Sequence, residues 1–188
     1  MKKNIKEKIL ITAKELFQTY GYNDVTMRNI ADALHISVGN LTYHYKRKED
    51  LIEAVIVDHY KEYKTPPVPK TLDELDRLIQ KILTHQARNA YYFKHYTQLA
   101  QICPKVYQIQ VNIIEDLRVV LNESFKEFQV NGWMKEEEFP GQTEHTLQIL
   151  MFICLYGNVP MELDRQSCIH TLIYPLMTDS GKALLQST

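Results

Sequence analysis

The sequence predicts an all-α fold, and three observations carry that prediction. Only six glycines occur in 188 residues, no run shows β-branched alternation, and apolar residues recur every three or four positions along most of the chain. The spacing resolves into about nine helices, arranged as an N-terminal three-helix head holding a helix-turn-helix and a larger helical body.

Asn4 to Tyr20 forms the first amphipathic helix, with Ile5, Ile9, Ala13, Leu16 and Phe17 on one face and Gly21 as its C-cap. Thr26 and Ser37 each stand just before a short helix, where a hydroxyl accepts a bond from an orphan backbone N–H. Ile30, Ala31 and Leu34 give the first of these helices its buried face. Ile36 occupies the turn, and Leu41 and Tyr45 continue the apolar seam on the second. Val38, Asn40, Tyr43 and His44 then face solvent, a small polar and aromatic surface that a major groove can accommodate.

A fourth helix, from about 47 to 63, presents Leu51, Ile52, Val55, Ile56 and His59 inward and connects the head (1–48) to a proline-rich link at 65–70. Three prolines in four residues end it there, which makes the link the expected domain boundary. The body, 71–188, opens with Thr71 as an N-cap and Glu74 three residues on, then a helix to about Arg88. An aromatic stretch around Tyr91 to Tyr96 follows, broken at Pro104. A long helix runs from Lys105 to Phe128, two more lie near Thr143–Tyr156 and Arg165–Met177, and a polar tail is expected after Gly181.

Composition bounds the function. A hydrophobic content of 45% with 24% charged residues is ordinary for a globular protein, and no stretch approaches 18 uncharged apolar residues. The charged N-terminus MKKNIKEKIL argues against a signal peptide, and three widely spaced cysteines suit reduced thiols in a cytoplasm. The net charge of −1 is unevenly spread: residues 1–48 hold nine Lys/Arg against four acids, and the remainder holds 13 against 19. A basic head on an acidic body is the footprint of a nucleic-acid-binding domain joined to something else.

The pattern Thr26, Ile30, Ala31, Leu34, Ile36, Ser37, Gly39, Leu41, His44, Tyr45, Lys48, Glu49 and Leu51 resembles the TetR family of bacterial transcriptional regulators, over Asn4 to about Val57. Two positions depart from the family pattern: His35 stands in the turn where glycine is usual, and Thr42 where tyrosine usually meets a phosphate. A histidine tolerates positive φ better than most side chains, so the turn is expected to form at modest cost.

The resemblance implies a DNA-binding head and a ligand-sensing, dimerising body without catalytic residues, cofactor or metal. On that footing Thr26, with the amides that start its helix, is expected to hold a phosphate, and Lys46 and Lys48 (with Arg47) to add charge toward the backbone. Ser37 caps the recognition helix and Gly39 permits close approach. Arg28, Val38, Asn40 and Tyr43 are the candidate base readers, while Thr42 and His44 are candidates for phosphate.

The implied partners are a palindromic double-stranded operator, a second copy of the chain and a small-molecule inducer. The apolar stripes Leu147, Leu150, Met151, Cys154 and Leu155, with Cys168, Ile169, Leu172 and Leu176, are the expected two-fold interface. Tyr92, Tyr96, Tyr107, Met151 and Phe152 are the expected ligand lining. Two other classes fit the sequence less well. A small helical enzyme would need a motif such as H-x-x-x-H, G-x-S-x-G or a P-loop, and the sequence has none; a protein-interaction module would not need the basic head.

Overall fold

The computed structural model describes the backbone of residues 4–156 and 164–185. Eleven α-helices form among the described residues: α1 Ile5–Tyr20, α2 Met27–Ala33, α3 Val38–His44, α4 Lys48–Tyr60, α5 Leu72–Arg88, α6 Ala90–Phe93, α7 Tyr96–Ile102, α8 Pro104–Val130, α9 Gln142–Tyr156, α10 Arg165–Ile173 and α11 Asp179–Leu185. Among these residues the Met134–Met177 bridge is the only extended pairing.

The helix count exceeds expectation for identifiable reasons. The aromatic stretch divides into α6 and α7, because Asn89 and His95 leave helical geometry with ψ of 28° and 16°. After Ile173 the chain tightens into a 3-10 turn, Tyr174–Leu176, that carries Pro175. The expected polar tail is instead α11. Gly181 lies inside it because a Cβ there would overlap the Trp133 carbonyl oxygen. Thr178 ties the same two segments together, its N–H donating to that oxygen at 3.0 Å and its hydroxyl to the Gly132 oxygen at 2.7 Å.

The chain divides into two compact units, residues 1–64 with 86–112 and residues 65–85 with 113–188, so the division falls inside α5 and inside α8. The proline link does begin the second unit, but residues 86–112, expected in the body, group with the helix-turn-helix head. Their side chains explain why. Tyr91, Tyr92, Leu99, Cys103 and Val106 are buried in one core with Ile9, Phe17, Ile30, Leu41, Leu51 and Ile56. Phe17 of α1 stacks on Tyr91 with ring centroids 6.3 Å apart.

The second unit has its own core, built from Leu75, Ile79, Leu121, Phe125, Phe128, Leu147, Leu150 and Ile169 among others. Thr71 caps α5 as expected, accepting from Glu74 N–H at 3.2 Å, and the buried Ser124 hydroxyl fastens the link to α8 by donating to the Pro69 oxygen at 2.8 Å. The apolar stripes expected at a two-fold interface are largely consumed here. Leu147, Leu150, Met151, Cys154 and Ile169 are buried within the unit, and the Leu155 side chain lies outside the described residues. The large apolar side chains that α9 leaves exposed among the described residues are Ile149, 49% exposed, and Phe152, 64% exposed.

Candidate nucleic-acid interface

The interface is built from two caps and one turn. Thr26 and Asn29 form a reciprocal capping box at the start of α2: the Thr26 hydroxyl accepts from Asn29 N–H at 3.2 Å, and Thr26 N–H donates to Asn29 Oδ1 at 2.8 Å. Ser37 caps α3 in the same way, accepting from Asn40 N–H at 3.1 Å. Between the helices His35 has φ of 54°, the left-handed conformation that glycine adopts freely. Its N–H donates to the Asp32 oxygen and that of Ile36 to the Ala31 oxygen, both at 3.0 Å, closing the turn.

These constraints fix how α3 presents its side chains. Leu41 is completely buried and Tyr45 nearly so, which pins the helix to the core. The opposite face, Val38, Gly39, Asn40 and Tyr43, is exposed, with Tyr43 86% accessible and its ring meeting His44 edge-on at 5.2 Å. Thr42 is half-buried, and its hydroxyl donates back to the Gly39 oxygen at 3.1 Å, so its hydrogen is already used.

Gly39 has no conformational reason to be glycine. Its φ is not in the left-handed region, and a Cβ would meet only the Ser37 Oγ, at an ordinary 3.8 Å. A glycine in a helix costs roughly 0.5–1 kcal/mol relative to alanine. Among the described residues no close packing against Gly39 offsets that cost, and its surface is left open.

The cations around this surface divide into two groups. Arg28 and Lys46 are exposed. Arg47 is engaged locally, its guanidinium 3.0 Å from Asp50 and its N–H on the same carboxylate, which caps α4. Lys48, an expected phosphate anchor, is half-buried. Its ammonium donates to the Tyr22 oxygen at 2.9 Å and the Asn23 oxygen at 3.4 Å, and sits 4.3 Å from the Tyr22 ring centre. Burial holds its pKa below the usual lysine value, with Glu49 and Asp24 acting in the opposite sense. Lys48 therefore clamps the turn between α1 and α2 with two of its three N–H groups. Tyr22 beneath it is pushed up to about 12, chiefly by burial.

The five residues expected to line a ligand site are distributed differently. Tyr92 is buried in the first unit, Tyr96 packs against that core, and Tyr107 is 52% exposed. Met151 is buried in the second unit and Phe152 is exposed. Two groups were missed by sequence reasoning. Asn29 answers Thr26, a capping pair in which Asn replaces the usual Glu or Gln. Asp76 and His170, 94 residues apart, meet in the second unit at 3.0 Å, and no sequence signal announces so distant a pair. Among the described residues no group of three or more His, Cys, Asp or Glu could hold a metal ion.

Comparison with known proteins agrees with this geometry. Residues 9–55 match the family described as bacterial regulatory proteins, tetR family. Among curated proteins, an HTH-type transcriptional regulator from Staphylococcus aureus, QacR, is 47% identical over 53 residues, 28% of this chain and 28% of that protein. A probable HTH-type transcriptional regulator from Bacillus subtilis, YttP, is 28% identical over 94 residues, 46% of this chain and 45% of that one. The matched region thus spans less than half the length of either relative.

Among solved structures, a TetR-family regulator from Marinobacter aquaeolei superposes with a TM-score of 0.75 at 20% identity, covering 98% of this chain and 97% of that one. A TetR regulator from Haloarcula marismortui gives 0.62 at 18% identity, covering 92% and 98%. At such identities the structures speak for the fold alone.

Proposed function

From the premise that residues 9–55 make this chain a member of the TetR family of bacterial regulatory proteins, we propose that it is a sequence-specific DNA-binding repressor of transcription, released from its operator by a small molecule. The observation that carries the reading is the open face of α3: an uncompensated Gly39 beside exposed Asn40 and Tyr43 on a helix pinned by buried Leu41. A helix of that form enters a major groove with its N-terminal residues at the base edges.

In this reading Arg28, Asn40, Val38 and Tyr43 choose the sequence, Asn with adenine, Arg with guanine and Val with a thymine methyl. Thr26, Ser37, His44 and Lys46 lie along the phosphates, with the amides that begin α2 and α3 offering donors where a helix terminus favours negative charge, while the Thr42 hydroxyl stays on the Gly39 oxygen. Lys48 contributes its remaining N–H and holds the α1–α2 turn in register.

One head reads only a few base pairs, so two copies related by a two-fold axis would engage half-sites about one helical turn, roughly 34–36 Å, apart. The exposed edge of α9, Ile149 and Phe152, supplies apolar surface for that pairing. The proposed work on bacterial DNA is cytoplasmic. Among the described residues no helix is long and apolar enough to cross a membrane.

Binding to duplexes of random sequence tests the reading. Affinity should fall steeply with salt, the logarithmic slope giving roughly 0.9 per phosphate neutralised. Lys46→Ala should weaken all sequences alike and lower that slope, whereas Asn40→Ala should relax selectivity at one position. Salt-insensitive or absent binding would remove the proposal.

A further inference from the structure

The second unit contains a pocket of about 230 Å³ between α5 and α10, walled by Leu72, Leu75, Ile79 and Ile173 and edged by Asp76, Gln166 and His170. Its polar edge is a chain of donors that converges on one carboxylate. Gln80 Nε2 donates to Gln166 Oε1, and Gln166 Nε2 donates to Asp76 Oδ1 and Oδ2 at 3.1 and 3.2 Å. The His170 ring adds a contact from Nε2 to Asp76 Oδ1 at 3.0 Å.

A carboxylate oxygen accepts about two hydrogen bonds. Oδ1 therefore has both of its positions used and Oδ2 has one left, on a carboxylate 26% exposed at the edge of the pocket, beside its apolar wall. The exposed acid Asp73 on the same helix is already paired with Arg77, so that guanidinium does not neutralise Asp76. Amides supply dipoles without net charge, and the His170 ring carries charge only when protonated.

The geometry points to a binding site for a small monoamine with a compact apolar body: the ammonium completes Asp76 Oδ2, and the hydrocarbon covers Leu75, Ile79 and Ile173. The volume is about eight times the ~30 Å³ that one water occupies, enough for a single ring or a short branched chain. A bound amine bridges α5 and α10, so its effect on DNA release rests on the proposed function, whereas its binding does not. The site is distinct from the aromatic set Tyr92, Tyr96 and Tyr107, which belongs to the first unit.

Benzylamine, cationic at neutral pH, and benzyl alcohol, its neutral analogue, are the probes, titrated into the full chain by calorimetry. In parallel, the His170 ring signals are followed by NMR in the unaltered protein. Benzylamine should bind with a 1:1 stoichiometry, shift the His170 signals, and bind at least about tenfold more tightly than benzyl alcohol, because hydrogen bonds to charged groups are the stronger ones.

Asp76→Asn should abolish that preference, and Ile173→Phe, which fills the pocket, should weaken both probes. Equal affinity for the two probes, or unmoved His170 signals at saturating amine, would overturn the assignment whether or not either variant folds. Random-duplex binding measured on the same preparation separates this outcome from failure of the DNA-binding reading. An intact salt-dependent DNA affinity with no amine binding defeats only the pocket.

Discussion

Replacing Gly39 by alanine should move stability and DNA binding in opposite directions. The added Cβ meets nothing nearer than Ser37 Oγ at 3.8 Å, and the backbone is not left-handed, so the methyl enters an unstrained helix. Removing a helical glycine narrows the unfolded ensemble and is worth about 0.4–1 kcal/mol. Gly39 is the second residue of a seven-residue helix, where propensity counts for less, so about 0.5 kcal/mol is the expected gain. For a chain of this size, that raises the melting temperature by about 1–2 °C.

On the face proposed to meet DNA, the same methyl should hold the backbone away from the groove. Loss of even one charge-assisted phosphate bond, about 1.5–3 kcal/mol, weakens binding by roughly ten- to a hundredfold. Thermal unfolding by circular dichroism and fluorescence anisotropy on a random duplex read the two effects. A variant that is more stable and binds DNA as well as the parent would refute the role given to Gly39. A destabilised variant would show that the glycine serves packing after all.

Lys48→Met removes a charged donor from the Tyr22 and Asn23 oxygens and a cation from the Tyr22 ring. It should cost about 1–2 kcal/mol in urea unfolding after allowing for partial exposure. An unchanged midpoint with a lower salt slope would make Lys48 a phosphate contact alone. His35→Gly relieves a side chain held at φ 54° and should stabilise by up to about 1 kcal/mol in the same assay; destabilisation would show that the imidazole makes a contact worth more than the strain. Stability should also fall in alkali. Burial raises Tyr22 and Tyr60 to about 12 and Tyr91 and Tyr92 further, so the folded state favours the neutral phenols. That contribution is complete below pH 10 and is lost as pH rises through about 12. Its size is about 1.36 kcal/mol for every pH unit by which a folded pKa exceeds the unfolded one. Ultraviolet titration of phenolate should show the buried tyrosines ionising together with loss of ellipticity; ionisation of all tyrosines near pH 10 without unfolding would contradict their burial.

The head is legible in the sequence because local rules govern it. Thr26 and Ser37 cap their helices through bonds three residues long, Gly21 ends α1 at φ 87°, and Leu41 and Tyr45 keep the seam. His35 takes the left-handed conformation that its place in the turn implies. What the sequence conceals depends on distant partners. Lys48 carries the same charge whether it faces a phosphate or the Tyr22 oxygen 26 positions away, and only the fold chooses.

The aromatic run near Tyr91 has the composition of a ligand pocket, yet Phe17 and Tyr22 of the head need those rings to complete their own core. Likewise the stripe on α9 is equally apolar on the way to a monomer core or to a second copy, and periodicity does not distinguish them. Gly181 has the look of a terminator because its packing partner, the Trp133 carbonyl, lies far earlier in the chain.

Selection of bound duplexes from a random-sequence pool tests the central claim, that the exposed face of α3 reads DNA as a symmetric pair, most directly. Enrichment of an inverted repeat is predicted, its half-sites about 10–10.5 base pairs, or a multiple, apart, with Asn40→Ala losing preference at one symmetric pair of positions. A pool that enriches no sequence, while the protein remains folded, would contradict it.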